Sequence, residues 1–142
     1  MNIAEFIQQI QARYHISADY PWMQSPESAV FRHPHNQKWF ALAINVKPIS
    51  LGRNGTEYVE IVNLKAKPEQ IGSLRQIKGI LPAYHMNKEH WISVVLAEIS
   101  PNLLWELVEE SFYLTLKLPS QAKKRNKDEL LKKTSTTYAP LF

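Results

Sequence analysis

Residues 78–96 read KGILPAYHMNKEHWISVVL, two apolar runs on either side of the polar segment 86–90. This pattern predicts a β-hairpin, because residues typical of strands flank a short polar connection. Asn87 and Lys88 are the candidates for a two-residue loop, since asparagine tolerates the positive φ that such turns require. The sequence therefore predicts two paired strands joined near residue 87.

The length of that loop sets which side chains face each other across the hairpin. A two-residue loop places His85 opposite His90 and Tyr84 opposite Trp91, whereas a four-residue loop shifts this register. Aromatic pairs of this kind stabilise neighbouring strands. With the shorter loop, we expect Trp91 to be largely buried beside Tyr84.

The other elements are indicated by apolar periodicity and by capping residues. In chain order they are a helix at 3–15, strands at 29–32, 38–46 and 58–64, a short helix at 66–75, the hairpin, and a helix at 101–116. The strand at 38–46 is apolar on both alternating faces, which predicts a position inside a sheet. Residues 16–28 form a loop, and its Trp22 is expected to cap the core, with a binding role as the alternative.

Composition indicates one soluble domain. The chain has 142 residues, of which 44% are hydrophobic and 21% charged, a balance typical of a globular protein. No apolar run approaches the roughly 20 residues of a membrane-spanning helix, and the N-terminus shows no secretory signal. The absence of cysteine excludes disulfides and fits a cytoplasmic protein.

The net charge of +4 is distributed unevenly along the chain. Residues 117–133 carry seven basic and two acidic side chains, whereas the rest carries ten basic and eleven acidic ones. Pro119 ends the last predicted helix, so we expect a domain at residues 1–118 and a basic tail at residues 119–142. The high isoelectric point therefore belongs to the tail and not to the domain.

Five short motifs stand in order along residues 1–116. They are Lys38-Trp39-Phe40-Ala41, Leu64-Lys65, Pro68-Glu69, the run Pro82-Ala83-Tyr84-His85-Met86-Asn87-Lys88 followed by His90-Trp91, and Ser111-Phe112. In residue type and order they resemble the signature of the MmcQ/YjbR family. Phe112 departs from the tyrosine that is usual there in the family.

The resemblance implies an α+β fold similar to that of secretion chaperones. It implies a single domain with the order α-β-β-β-α-β-β-α, in which helices pack on an antiparallel sheet. It also implies a DNA-binding role in which the tips of two hairpins act as wings.

DNA binding requires cations directed at phosphates, with amides or aromatic rings near the bases. The candidate contacts are Lys47, Arg53 and Asn54 at the first wing and His85, Asn87, Lys88 and His90 at the second. The tail adds nonspecific attraction through Lys123, Lys124, Arg125 and Lys127. Because affinity for a duplex scales with the number of phosphates neutralised, we expect the tail to supply most of the salt-sensitive affinity.

Catalytic and metal sites are not indicated. The chain has no Gly-x-Ser-x-Gly run, no cysteine nucleophile and no glycine-rich phosphate loop, so we expect a non-enzymatic protein without a cofactor. The pairs His33/His35 and His85/His90 suggest zinc, but His85 and His90 are one residue too far apart for a metalloprotease helix. We expect hydrogen-bonded histidines and no metal.

A protein-interaction module, chaperone- or adaptor-like, is the alternative function. Its contact surface would be an exposed face of the sheet or the apolar end at Leu141 and Phe142. Salt separates the two functions, because duplex binding weakens steeply with salt and an apolar contact does not. For either function we expect a monomer or weak dimer that does not associate with membranes.

Overall fold

Three α-helices and five strands occur in residues 1–117, the part of the chain that the computed structural model describes. Their order is α1 (Ile3–Tyr14), β1 (Ala29–Arg32), β2 (Trp39–Val46), β3 (Val59–Lys65), α2 (Pro68–Leu74), β4 (Ile80–Pro82), β5 (Trp91–Val95) and α3 (Pro101–Leu114). A 3₁₀ turn, Pro48–Leu51, lies between β2 and β3. The predicted α+β class and element order are therefore confirmed. The predicted tail, with its four basic candidates, lies outside the described residues.

One antiparallel sheet is formed by these strands, in the order β1-β2-β3-β5-β4. β2 lies between β1 and β3, as its apolar residues on both faces predict. The register aligns one row of residues across the sheet, Leu42, Asn63, Ser93 and Leu81, on four successive strands. Neighbours in such a row point to the same face.

Helices α1 and α3 cover one face of the sheet. An Asn2–Glu5 capping box starts α1, and Phe6 of α1 is fully buried and stacks on Trp105 of α3, with ring centroids 5.6 Å apart. The core beneath the helices includes Val62 on the central strand. No helix within residues 1–117 has the length and apolarity needed to cross a membrane.

Ser111 fastens α3 to two strands at once. Its hydroxyl donates to the Phe40 carbonyl oxygen at 2.6 Å and accepts from the Lys65 backbone N–H at 2.9 Å. Both bonds are satisfied inside the core, where an unpaired polar group is costly. The Ser111 position of the family motif thus holds the start of β2 and the end of β3 against α3.

The opposite face of the sheet, which we call the outer face, carries a smaller apolar cluster of Val46, Ile61 and Val95. Partly buried side chains pack against this cluster, among them Leu51 from the β2–β3 connection and Tyr84 from the β4–β5 connection. Loops therefore cover this face, where helices cover the other.

The β4–β5 connection differs from the predicted tight turn. Pro82 pairs with Ile92, so residues 83–90 form the loop, and neither the two-residue nor the four-residue loop occurs. The predicted His85–His90 and Tyr84–Trp91 pairs are therefore wrong. Trp91 instead pairs with Lys65 of β3 and is only half buried, so the expectation of a largely buried ring was also wrong.

Candidate nucleic-acid interface

Loop 83–90 is held onto the outer face by two buried polar side chains of the sheet. Ser93 Oγ donates to Asn63 Oδ1 at 2.5 Å and accepts from the Tyr84 N–H at 2.8 Å. Asn63 Nδ2 in turn donates to the Tyr84 carbonyl oxygen at 2.9 Å. Both Asn63 and Ser93 are fully buried. This network of three hydrogen bonds fixes the loop at Tyr84. It explains why the loop is longer than the predicted turn.

The loop presents two stacked rings beyond this anchor. His85 has a φ of 55°, in the left-handed region that residues other than glycine seldom adopt. Its exposed ring lies parallel to that of Tyr84, with centroids 4.0 Å apart and an interplanar angle of 10°. The positive φ and the anchored Tyr84 backbone together define the position of this ring pair.

Backbone bonds close the second half of the loop. The Asn87 carbonyl oxygen accepts from the N–H groups of His90 and Trp91, and the Asn87 side chain accepts from the Glu89 N–H at 2.8 Å. The Arg75 guanidinium donates to the Lys88 carbonyl oxygen. The loop is therefore a hydrogen-bonded unit, and the Lys88 side chain at its tip is exposed.

Two clefts lie on the outer face, on either side of the ring pair. The first, the tryptophan cleft, has a volume of about 610 Å³ and is lined by Trp22, Gln24, Ser25, Ser28, Trp39, Leu42, Ile44, Tyr84, His85 and Met86. The second, the proline cleft, has a volume of about 400 Å³ and is lined by Ser50, Leu51, Leu81, Pro82, Ala83, Tyr84, His85 and Lys88. Both volumes fall in the range of small-molecule sites. Tyr84 and His85 belong to both linings.

The tryptophan side of this cleft is aromatic, and an arginine that does not line the cleft lies near it. Trp22 packs edge-on against Trp39, with ring centroids 5.7 Å apart. The Arg32 guanidinium lies 5.6 Å from the Trp39 ring centroid and pairs with Asp19, Nε to Oδ2, at 3.1 Å. Cations at such distances are attracted to the face of an indole.

Three lysines gather at the end of the sheet where Trp39 lies. Lys38 precedes β2, Lys65 ends β3, and Lys117 follows α3; Ser111 joins these three elements by its bonds to Phe40 and Lys65. Burial lowers the pKa of Lys65, and the positive charges of Lys117 and Lys38 lower it further. Within residues 1–117 none of the three forms an ion pair. We call this group the lysine cluster.

Comparison with known proteins identifies the family of this chain. The sequence model of the YjbR family matches residues 11–114. The chain belongs to the YjbR family. It is 44% identical over 112 residues to the uncharacterized protein YyaQ of Bacillus subtilis, an alignment that covers 78% of this chain and 95% of YyaQ.

Two solved structures share the fold of this chain. A crystal structure of a Pseudomonas syringae protein is 46% identical, with a TM-score of 0.79, over 81% of this chain and 99% of the other. A crystal structure of a Deinococcus radiodurans protein with a DUF419 domain has a TM-score of 0.64 over 87% of this chain and 86% of the other. At 24% identity this second likeness concerns the fold alone.

The structure brings the two predicted wings together at the proline cleft. Ser50 and Leu51 come from the first wing, and His85 and Lys88 come from the second. Asn87 lies in the same loop, whereas His90 is half buried and its carbonyl oxygen accepts from the Ala66 N–H at 2.9 Å.

The first wing has less free charge than its sequence indicates. Arg53 Nη1 and Nη2 donate to the two carboxylate oxygens of Glu98 at 2.5 and 2.9 Å. These hydrogen bonds raise the pKa of Arg53 and lower that of Glu98. Lys47, which precedes the 3₁₀ turn, and Asn54, which follows Arg53, are both exposed. Lys47 is thus the one predicted cation of this wing that lacks an ion pair among residues 1–117.

The first of the two histidine pairs has a structural role. His33 is buried, and its Nε2 lies 2.9 Å from Thr115 Oγ1, which donates to the Ser111 carbonyl oxygen. His33 Nε2 therefore carries the proton of this bond, and burial, with the nearby His35, lowers the pKa of His33 to about 4. His35 Nε2 lies 2.7 Å from the Leu116 carbonyl oxygen. Residues 1–117 contain no group of three or more metal-ligating side chains.

Sequence reasoning missed the anchor and the lysine cluster. Asn63 and Ser93 each stand between two apolar residues of a strand, and an isolated polar residue in a buried stretch is a signal for a hydrogen-bonded network. Lys38 and Lys65 stand within family motifs, but only strand pairing and the Ser111 bridge bring them together.

Proposed function

We propose that this YjbR protein binds nucleic acid through the end of the outer face where the lysine cluster meets half-buried aromatic rings. One observation carries the proposal: Lys65 pairs in register with Trp91 of β5, while the Phe40–Ser111–Lys65 bridge brings Trp39 and Lys38 alongside. Cations next to aromatic rings suit phosphates and bases respectively.

The charge of the lysine cluster supports a polyanionic ligand. Lys38 and Lys117 are exposed and Lys65 is half buried. The lowered pKa of Lys65 reflects burial and repulsion by the other two lysines, and a bound phosphate would relieve that repulsion. An anion at this point therefore stabilises the protonated form of the cluster.

The tail sequence extends the same charge. It continues the chain directly after Lys117 and supplies Lys123, Lys124, Arg125 and Lys127. Each phosphate neutralised adds to the salt dependence of binding. The proposed role is binding without catalysis and without a cofactor, and the absence of cysteine is compatible with the cytoplasm.

The test compares two doubly substituted proteins of equal charge. Lys38→Gln with Lys117→Gln removes two cations of the cluster, and Lys47→Gln with Lys78→Gln removes two exposed cations elsewhere. Anisotropy of labelled DNA is measured at about 50 mM and about 200 mM salt. The first variant should bind more weakly, with a salt slope shallower by about 0.7–0.9 for each phosphate that is no longer neutralised, and the second should behave as the parent protein.

Other outcomes redirect the proposal. If the second double variant loses more affinity, the first wing carries binding. Truncation after Lys117 measures the share contributed by the tail. The proposal fails if the full-length protein binds no nucleic acid at about 50 mM salt.

A protein-binding module is the second candidate, and exposed apolar side chains favour it. Met23 is 94% and Ile49 80% exposed, each next to a residue that lines a cleft. Exposed apolar residues of this size suit a partner surface. Isothermal titration with a captured partner at two salt concentrations should then give affinities that do not depend on salt.

A further inference from the structure

We infer that the tryptophan cleft receives an unstacked base, so that this protein prefers single-stranded to double-stranded nucleic acid. The inference rests on the proposed function and names the form of its ligand. It is carried by the cleft and its ring pair, whose lining residues include none of the three lysines of the cluster.

The shape and lining of the cleft suit a flat aromatic ligand. Trp22 and Trp39 form one wall and the parallel rings of Tyr84 and His85 form another, around a volume of about 610 Å³. Aromatic side chains stack on any base, which gives affinity without demanding a particular sequence. The apolar floor at Leu42 favours a group that leaves water.

Polar groups at the rim can pair with the edge of a base. Gln24, which is exposed, offers an amide, and half-buried Ser25 offers a hydroxyl that lies 2.5 Å from the hydroxyl of fully buried Ser28. The exposed His85 ring adds a nitrogen donor or acceptor at the opposite wall. A few polar groups in a mainly apolar cleft are typical of sites that orient a ligand.

The charges around the two clefts fit a strand that passes over the ring pair. None of the described residues that line either cleft is acidic, and Lys88 lies in the proline cleft. Arg32 lies near Trp39 and is paired with Asp19, and the acidic residues next in sequence to lining residues, Glu27 and Glu89, are exposed. Phosphates can therefore lie near Lys88 while a base enters the tryptophan cleft.

A duplex cannot use this site without losing base pairs. Bases in a duplex are stacked and paired, and extruding one costs a few kcal/mol of pairing and stacking energy. A single strand presents its bases directly. The site therefore discriminates by the availability of a base face and not by charge.

The experiment uses three labelled ligands of equal strand length with the full-length protein. They are a single-stranded DNA of mixed sequence, its duplex, and an abasic strand with the same number of phosphates. Anisotropy should give an affinity for the single strand about tenfold higher than for the abasic strand or the duplex. The abasic strand isolates the contribution of the bases, because its charge is unchanged.

Two variants test the cleft and one serves as control. Trp22→Leu removes one of the two tryptophan rings, and His85→Gly removes one ring of the opposite pair and relieves the positive φ of 55°. Each should reduce the preference for the single strand to about twofold or less and leave abasic binding unchanged. Tyr58→Ala, which removes an aromatic ring that is 58% exposed and lines neither cleft, should keep the full preference. Circular dichroism checks each fold, and either cleft variant alone suffices.

The outcomes separate this inference from the proposed function. If all three ligands bind equally and with a steep salt dependence, the inference is overturned and the proposed function stands. Equal losses in Trp22→Leu and Tyr58→Ala also overturn it, because the cleft would then have no special part. If no ligand binds at low salt, both are overturned, and an apolar peptide becomes the better ligand for the cleft.

Discussion

Removing the Ser93 hydroxyl should release the anchor of loop 83–90. Ser93→Ala deletes the donor to Asn63 Oδ1, at 2.5 Å, and the acceptor of the Tyr84 N–H, at 2.8 Å. Asn63 is fully buried, so its oxygen has no access to water after the change. Tyr84 is half buried, and its N–H is partly shielded.

The expected loss of stability follows from these two orphaned groups. A buried polar group left without its partner costs about 1–3 kcal/mol. The oxygen of Asn63 lies in the upper part of this range and the Tyr84 N–H in the lower part, which gives a total of about 2–4 kcal/mol. That is a large share of the roughly 5–15 kcal/mol that stabilises a typical domain.

Urea unfolding followed by circular dichroism measures this loss, with hydrogen exchange at the Tyr84 N–H as a local readout. The midpoint should fall with an unchanged slope, and exchange of the Tyr84 amide should accelerate. Ser17→Ala, at an exposed serine, serves as control and should change stability by about 0.5 kcal/mol or less. A double-mutant cycle with Asn63→Ala should return a coupling of about 0.5–3 kcal/mol.

The reasoning would be refuted by two results together. One is a loss in Ser93→Ala no larger than that in Ser17→Ala, and the other is an unchanged exchange rate at Tyr84. The loop would then be held by the backbone bonds at Asn87 and by the Arg75–Lys88 contact alone.

Three further predictions concern pH, the first wing and the outer face. The pKa of buried His33 is about 4 in the folded protein and about 6.5 in the unfolded chain, so the unfolded state takes up the proton first as the pH falls. The free energy of unfolding should therefore be highest above about pH 6.5 and fall by about 3 kcal/mol towards pH 4. His33→Gln should flatten this pH profile, as measured by urea titrations. Arg53→Gln should lower stability by about 1 kcal/mol or less, because the ion pair of Arg53 with Glu98 is partly exposed. DNA binding, measured by anisotropy, should stay unchanged. Weaker DNA binding would show that Arg53 contacts the ligand. Trp91→Ala should lower the stability of the domain by about 2 kcal/mol, less than the roughly 3–5 kcal/mol expected for a fully buried tryptophan. A fall in the thermal midpoint as large as a fully buried tryptophan would give would contradict the half-buried position of Trp91.

Patterns that act over a few residues allowed most of the fold to be predicted. The capping box at Asn2 and Glu5 starts α1, and the Ser100 cap with Pro101 starts α3, as expected. The two apolar faces of 38–46 placed β2 inside the sheet. Each of these signals is local, because the interacting groups lie within one turn or one strand.

The loop register could not be predicted in the same way. A tight turn at Asn87 satisfies local turn preferences, but Ser93 of β5 and Asn63 of the neighbouring strand β3 bind the Tyr84 backbone. These tertiary bonds outweigh the local preference, and the loop lengthens to residues 83–90. Asn63 is far from Tyr84 in sequence, and a hairpin pattern carries no information about it.

The candidate site shows the same limit. His85 and Lys88 were found because they lie close together in one signature run. Lys38 and Lys65 stand in two separate motifs and Lys117 stands in none, so the sequence does not group them. Their proximity requires the β2–β3 pairing and the docking of α3. Nonlocal contacts of this kind are the part of a structure that is hardest to predict from a single sequence.

Ser111 and Ser93 have the same role on the two faces of the sheet, because the hydroxyl of each binds the backbone of another segment. These bonds explain how short motifs that are far apart in sequence come to lie on one surface, the outer face. Ser111 fixes the backbone at Phe40 and Lys65 from the helical side, and Ser93 fixes the backbone at Tyr84 from the outer side. The lysine cluster depends on the first serine and the ring pair on the second. Because both serines bind backbone atoms, these bonds leave the side chains of Lys65 and Tyr84 unengaged.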